Sequence, residues 1–163
     1  MSESWHEKNK EFNALIKELF QAEDWQKRSE AARQLGYMRD GRAVNLLCRA
    51  LRSEKDKMVQ NRIIEAMGRI GDGRATLRII EKMSEELKSN NIDKYRIIYM
   101  IESLTNIKDK RALTYIGQFL NSPDKDLKKL AEKAFDKIEP NWRQIIEKER
   151  KEKSIEEIFK NKI

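Results

Sequence analysis

Apolar residues recur along the chain at three- and four-residue intervals, the spacing that gathers them on one side of an α-helix. Phe12, Leu15, Ile16, Leu19 and Phe20 make the first stripe and predict a helix over residues 4–22. Later stripes predict three helix pairs, at 25–37 with 42–53, 56–69 with 74–89, and 92–106 with 111–121. A last helix over 124–138 turns Leu127, Leu130, Ala131, Ala134, Phe135 and Ile138 inward. Its start is signalled by Asn121-Ser122-Pro123-Asp124, in which Ser122 is placed to cap, Pro123 suits the first turn and acids follow. Leu35, Leu47, Met67, Ile79, Leu104, Ile116 and Phe135 are the expected core. A β-sandwich or barrel is excluded, because two Pro and six Gly are too few for its turns and period-two runs are missing.

The joints between paired helices repeat. Leu35-Gly36-Tyr37-Met38-Arg39-Asp40-Gly41-Arg42-Ala43 returns as Met67-Gly68-Arg69-Ile70-Gly71-Asp72-Gly73-Arg74-Ala75, a step of 32 residues. Leu104-Thr105-Asn106-Ile107-Lys108-Asp109-Lys110-Arg111-Ala112 is a looser copy a further 37 residues on, with Asn90-Asn91 supplying the extra length. Leu127-Lys128-Lys129-Leu130-Ala131 opens a fourth half-copy that lacks the turn. No pair can bury its apolar face alone, so the copies must stack. The Asp of each turn is placed to cap the following helix, and the Arg two residues on to bond the neighbouring copy's turn. Gly36, Gly68 and Gly71 suit helix ends and close helix contacts. They do not form a phosphate loop, which needs a strand before the glycines and a Lys-Ser/Thr after them.

The run from Arg28-Ser29-Glu30-Ala31-Ala32-Arg33-Gln34-Leu35-Gly36 through Asp40-Gly41-Arg42-Ala43 to Leu46-Leu47, repeated from Ile63 to Ala75, resembles the HEAT-like repeat family. In particular it resembles the short variant first described in phycobilisome lyases, and the resemblance covers about residues 14–138. Departures are Gln60 where the first copy has Arg28, and the loss of both glycines from the third copy. The resemblance implies an all-α, right-handed α-solenoid of antiparallel helix pairs over residues 1–139, with a capping segment and charged helical tail at 140–163. It also implies a scaffold rather than an enzyme, with the second helix of each pair lining a concave surface.

Composition narrows the chemistry. A single cysteine, Cys48, excludes intramolecular disulfides and multi-cysteine zinc sites, and its setting in Leu46-Leu47-Cys48-Arg49-Ala50-Leu51 is that of a buried or half-buried small residue. His6 is the only histidine, which excludes di-iron chemistry of the kind some HEAT-like hydroxylases resemble. No catalytic, cofactor-binding or metal-binding residues are assigned. No membrane span or signal-peptide core is present, so the expected location is cytoplasmic. Abundant Lys, Glu and Ile with scarce Gln match a thermophilic source.

The 35 Lys and Arg against 28 Asp and Glu leave a net charge of +7, and it is not evenly spread. Residues 1–38 sum to −1 and residues 39–83 to +5. On the second helix of the first pair Arg42, Asn45, Arg49 and Arg52 are exposed with no acid between them; on the next second helix Arg74, Arg78 and Lys82 are diluted by Glu81 and Glu85. Arg42, Asn45, Arg49, Arg52, Arg78 and Lys82, with Tyr115 as the one exposed aromatic on these helices, are therefore the candidate partner-binding residues. The partner expected is a protein with an acidic surface or segment. The phosphate backbone of a nucleic acid is the second reading of the same stripe, and an accessory subunit of a lyase-type enzyme the third. The chain is expected to be a monomer or a weak homo-oligomer.

Trp5, Trp25 and Trp142 lie near helix starts and are expected to pack on the terminal units. After them comes a wholly charged run, Glu147 to Lys153, and then Ser154-Ile155-Glu156-Glu157, a capping box. Ile155, Ile158, Phe159 and Ile163 form one stripe, which either folds back on the core or docks a partner.

Overall fold

The computed structural model describes residues 3–150 and 155–162, and no strand occurs among them. The chain divides into two compact units, Met1–Ala75 and Thr76–Ile163.

In the first unit α1 (Glu3–Gln21) is followed by α2 (Trp25–Met38), a 3-10 turn at Gly41–Ala43 that runs into α3 (Val44–Ser53), then α4 (Lys57–Ile70) and a second 3-10 turn at Gly73–Ala75. Local chemistry sets these ends. Asp24 and Asp56 accept backbone amides at the starts of α2 and α4, and Asp40 accepts the Arg42 amide at 2.9 Å to start the 3-10 turn. Gly71 closes α4 in the left-handed region (φ 75°), as its type allows. Arg39 takes the same position at the end of α2 (φ 51°), so Gly36 is not the helix-ending residue. Gly36 lies inside α2, where the backbone of Ala66 in α4 presses against it. Phe12, Leu15 and Leu19 of α1, Leu35 of α2, Leu47 and Leu51 of α3, and Ile63, Ile64 and Met67 of α4 are buried together as the core of this unit.

The second unit comprises α5 (Thr76–Leu87), α6 (Lys94–Ile107), a 3-10 turn at Lys110–Ala112, α7 (Leu113–Ile116), a 3-10 segment at Gly117–Asn121, α8 (Lys125–Ile138), α9 (Trp142–Glu149) and α10 (Ile155–Lys162). Its core holds Ile79, Met83, Ile97, Met100, Ile101, Leu104, Leu113, Ile116 and Phe135. All seven residues expected in the core are fully buried, three in the first unit and four in the second.

Two details differ from the expected pattern. The helix predicted over 111–121 breaks after Ile116 into 3-10 backbone. Glycine weakens an α-helix by about 1 kcal/mol, and here its bare Cα admits Ile155 of α10: a Cβ on Gly117 would lie 2.7 Å from the Ile155 Cγ2. The cap of α8 is Asp124, which accepts the Asp126 and Leu127 amides, while Ser122 Oγ accepts the Asp124 amide just before it. A carboxylate offers a charged acceptor to the positive helix end, so it displaces the hydroxyl.

Candidate binding face

The joint that repeats in sequence is a self-contained ion pair. Arg42 donates from Nε and Nη2 to the Asp40 carboxylate, the latter at 2.7 Å, and from Nη1 to Asn9 Oδ1 of α1 at 2.8 Å. Its guanidinium also covers the Phe12 ring, 4.4 Å from the centroid. Arg74 holds Asp72 in the same way and reaches the Gly41 carbonyl of the preceding turn at 3.0 Å, the stitch between copies that the spacing predicts. Arg111 grips Asp109 likewise, at 2.6 Å. Bonds from the paired arginines hold the Asp40 and Asp72 carboxyls below the ordinary aspartate value. These arginines fasten turns, and their forks are already occupied.

Exposed on the first unit are Arg42, Asn45, Arg49 and Arg52. Because α3 is short and binds the core through Val44, Leu47, Ala50 and Leu51, the remaining positions must face water, and none of them is acidic. Arg49 lies 5.9 Å from the Phe20 ring centroid of α1 and pairs with no carboxylate among the described residues. Arg78 and Lys82 belong to α5 in the second unit and are different in kind. Both are half-buried; Arg78 is ion-paired with Glu81, and Lys82 Nζ lies 3.1 Å from Glu85 Oε2. Tyr115 is exposed on α7, a third helix, and its carbonyl accepts Gln118 Nε2. Of the candidate residues, the structure thus exposes the four on α3 and the turn before it, with Arg42 already held by Asp40, and leaves the two on α5 half-buried and ion-paired.

The tail stripe is placed inside the second unit. Ile158 and Phe159 are each 1% exposed, and the Phe159 ring meets Phe135 edge-on with centroids 4.9 Å apart. Ile155 rests on Gly117, whereas Ile163 and the capping-box Ser154 fall outside the described residues. Trp142 is buried beside Phe135 and donates from Nε1 to Asp136 at 2.8 Å. Trp5 and Trp25 are not packed away; each keeps more than two-fifths of its surface exposed.

Residue spacing alone passes over a set of buried polar staples. Arg28 donates to both oxygens of Glu54 and, from Nη1, to the Ala22 and Glu23 carbonyls at 2.8 and 2.9 Å. Gln60, which stands where the first copy has Arg28, donates to the Glu54 carbonyl at 2.6 Å. In the second unit Glu86 accepts Arg96 Nε at 2.8 Å and the Asp93 amide at 3.0 Å, with both side chains almost wholly buried. The available signal was a polar residue three or four places after the capping Asp of each first helix, in the stripe otherwise reserved for apolar residues.

The helix pairs have counterparts in known proteins. The family model for HEAT repeats matches residues 12–86. This part of the chain is similar to HEAT repeats. Among solved structures, the crystal structure of an engineered protein from the Northeast Structural Genomics Consortium is 19% identical, with a TM-score of 0.57 over 91% of this chain and 76% of that one. At that identity the likeness speaks for the fold: all-α HEAT-like helix pairs, the building plan of α-solenoids. A search of curated proteins finds no match. HEAT repeats generally serve as protein-interaction scaffolds and are typically non-catalytic. Among the described residues no group of three or more His, Cys, Asp or Glu is arranged to hold a metal, and no helix is long and apolar enough to cross a membrane.

Proposed function

We propose that the chain is a non-enzymatic interaction scaffold that holds an acidic segment of a partner protein against the exposed face of α3. The observation that carries this reading is the contrast between two equivalent helices. On α5 the cations are half-buried and ion-paired with Glu81 and Glu85 of their own helix, whereas α3 exposes Asn45, Arg49 and Arg52 and carries no acid in its own sequence. Arg42 contributes less, because Asp40 and Asn9 hold its guanidinium. A field of one sign draws an oppositely charged segment and aligns it, while each exposed contact adds only about 0.2–1 kcal/mol. The nucleic-acid reading draws on the same charge, but α3 itself carries no aromatic residue for stacking bases.

Arg49→Glu with Arg52→Glu tests the proposal against a glutamate-rich peptide and a short duplex DNA at low salt. The peptide should bind wild type and lose affinity about tenfold in the variant, equivalent to about 1.4 kcal/mol. The melting temperature should hold within a few degrees, and the loss should shrink as salt rises. Unchanged peptide binding removes α3 as the site. Tighter binding of the duplex, lost in the same variant, replaces the protein segment with a nucleic acid.

A further inference from the structure

We infer that the acidic segment is anchored by one large apolar side chain, seated in a cleft at the C-terminal ends of α1 and α3. This rests on the reading of α3 as the binding face and adds what that face selects. The open cleft measures about 360 Å³, at the lower end for a small-molecule site and ample for one bulky side chain. Its apolar lining comes from Leu19, Phe20 and Ala22 of the first helix and its exit, and from Ala50 of α3. Phe20 is the informative member: it belongs to the stripe of α1, yet 38% of it remains exposed, and it lines this cleft.

The polar groups around the cleft fix what fits. Arg28 and Glu54 form one side, but they satisfy each other, and the remaining Arg28 nitrogen is held by the Ala22 and Glu23 carbonyls. That side is closed and electrically balanced. Two cations stand beside the cleft. Lys55 lines the cleft directly, and Arg49 lies against the Phe20 ring; neither pairs with a carboxylate among the described residues. A hollow with one apolar wall and two open cations beside it complements an apolar residue with acids next to it, such as a phenylalanine within a run of glutamates. A bare acidic run would satisfy the charges and leave the hollow wet. A phosphate backbone has no apolar side chain to offer it.

Two synthetic peptides separate the anchor from the face: a glutamate-rich peptide with a central phenylalanine, and the same peptide with glycine in its place. Isothermal titration should show the phenylalanine peptide binding wild type at least about tenfold more tightly, the gain expected from burying one large apolar side chain. Ser53, exposed on the cleft wall, gives a blocking variant: Ser53→Trp should erase the difference and leave the glycine peptide's affinity unchanged. Phe20→Ala, which removes the wall from the other side, should reduce the difference as well, and a melting curve for each variant shows that it is folded. Equal affinities of the two peptides for wild type, or a preference that survives both variants, overturns the anchor. In that case sensitivity of both peptides to Arg49→Glu with Arg52→Glu still upholds the face. If that sensitivity is lost while the phenylalanine preference stays, the face fails, and with it an anchor for an acidic segment.

Discussion

Gly36→Ala is a change that helix chemistry favours and packing forbids. Alanine gains about 1 kcal/mol over glycine in a helix interior. Here the added Cβ would lie 2.7 Å from the Ala66 Cα and 3.0 Å from its Cβ, against about 3.5–4.0 Å for an ordinary carbon contact. The nearer obstacle is backbone, so no rotamer relieves it, and α2 and α4 must move apart. Leu35 on one helix and Ile63 and Met67 on the other are all fully buried and lose contact as they do. Overpacking of this kind costs about 1–3 kcal/mol, and a backbone obstacle belongs at the upper end, about 3 kcal/mol. Subtracting the helix gain leaves a net loss of about 2 kcal/mol. For a chain of this size that corresponds to a fall of about 4–8 °C in melting temperature. Urea and thermal unfolding followed by far-ultraviolet circular dichroism measure it. Adding Ala66→Gly removes only the 3.0 Å contact, so it should restore part of the loss. A Gly36→Ala protein as stable as wild type, or more stable, refutes the claim that this glycine is required by helix approach.

Other consequences are open to the same assays. Leu47→Ala, at a fully buried site, should cost about 2–5 kcal/mol by leaving a cavity, and wild-type stability there would refute the assigned core. Glu86→Ala removes the carboxylate that pairs with the buried Arg96 guanidinium and accepts the Asp93 amide, so it should destabilise by about 3–5 kcal/mol in urea titrations; a neutral result would mean that water reaches the pair. Deleting residues 147–163 uncovers Phe135 and should lower the melting temperature, whereas unchanged stability would show that α10 adds nothing to the second unit. Acid should also unfold the protein in a defined window. Bonds from Arg33 and Gln34 pull the Glu30 carboxyl down to about 2, and arginine bonds lower Asp40 and Asp72. Their folded values lie below the unfolded ones, so the stabilisation is complete above about pH 5 and is lost as pH falls toward 2. Stability that stays flat between pH 5 and about 2 would contradict the ladder.

The helix pairs, their joints and the buried stripe were legible in the chain itself. Spacing of three and four places one side of a helix inward whatever it meets, and an Asp two residues before an Arg starts a turn from atoms that are already neighbours. Tertiary structure decided everything that joins distant stretches. The Asp-Gly-Arg turn already marks Arg42 in sequence as a joint residue, but only the fold brings Asn9 to it and lays Phe20 beside Arg49. The break at Gly117 depends on Ile155 arriving from nearly forty residues away, and the same packing turns the apolar stripe of the tail inward. The cleft exists because Phe20 and Lys55, about thirty-five residues apart, end on one rim. Periodicity fixes which face of a helix is buried. Which neighbour covers that face, and which charges it leaves uncovered, depends on contacts through space that no local spacing encodes.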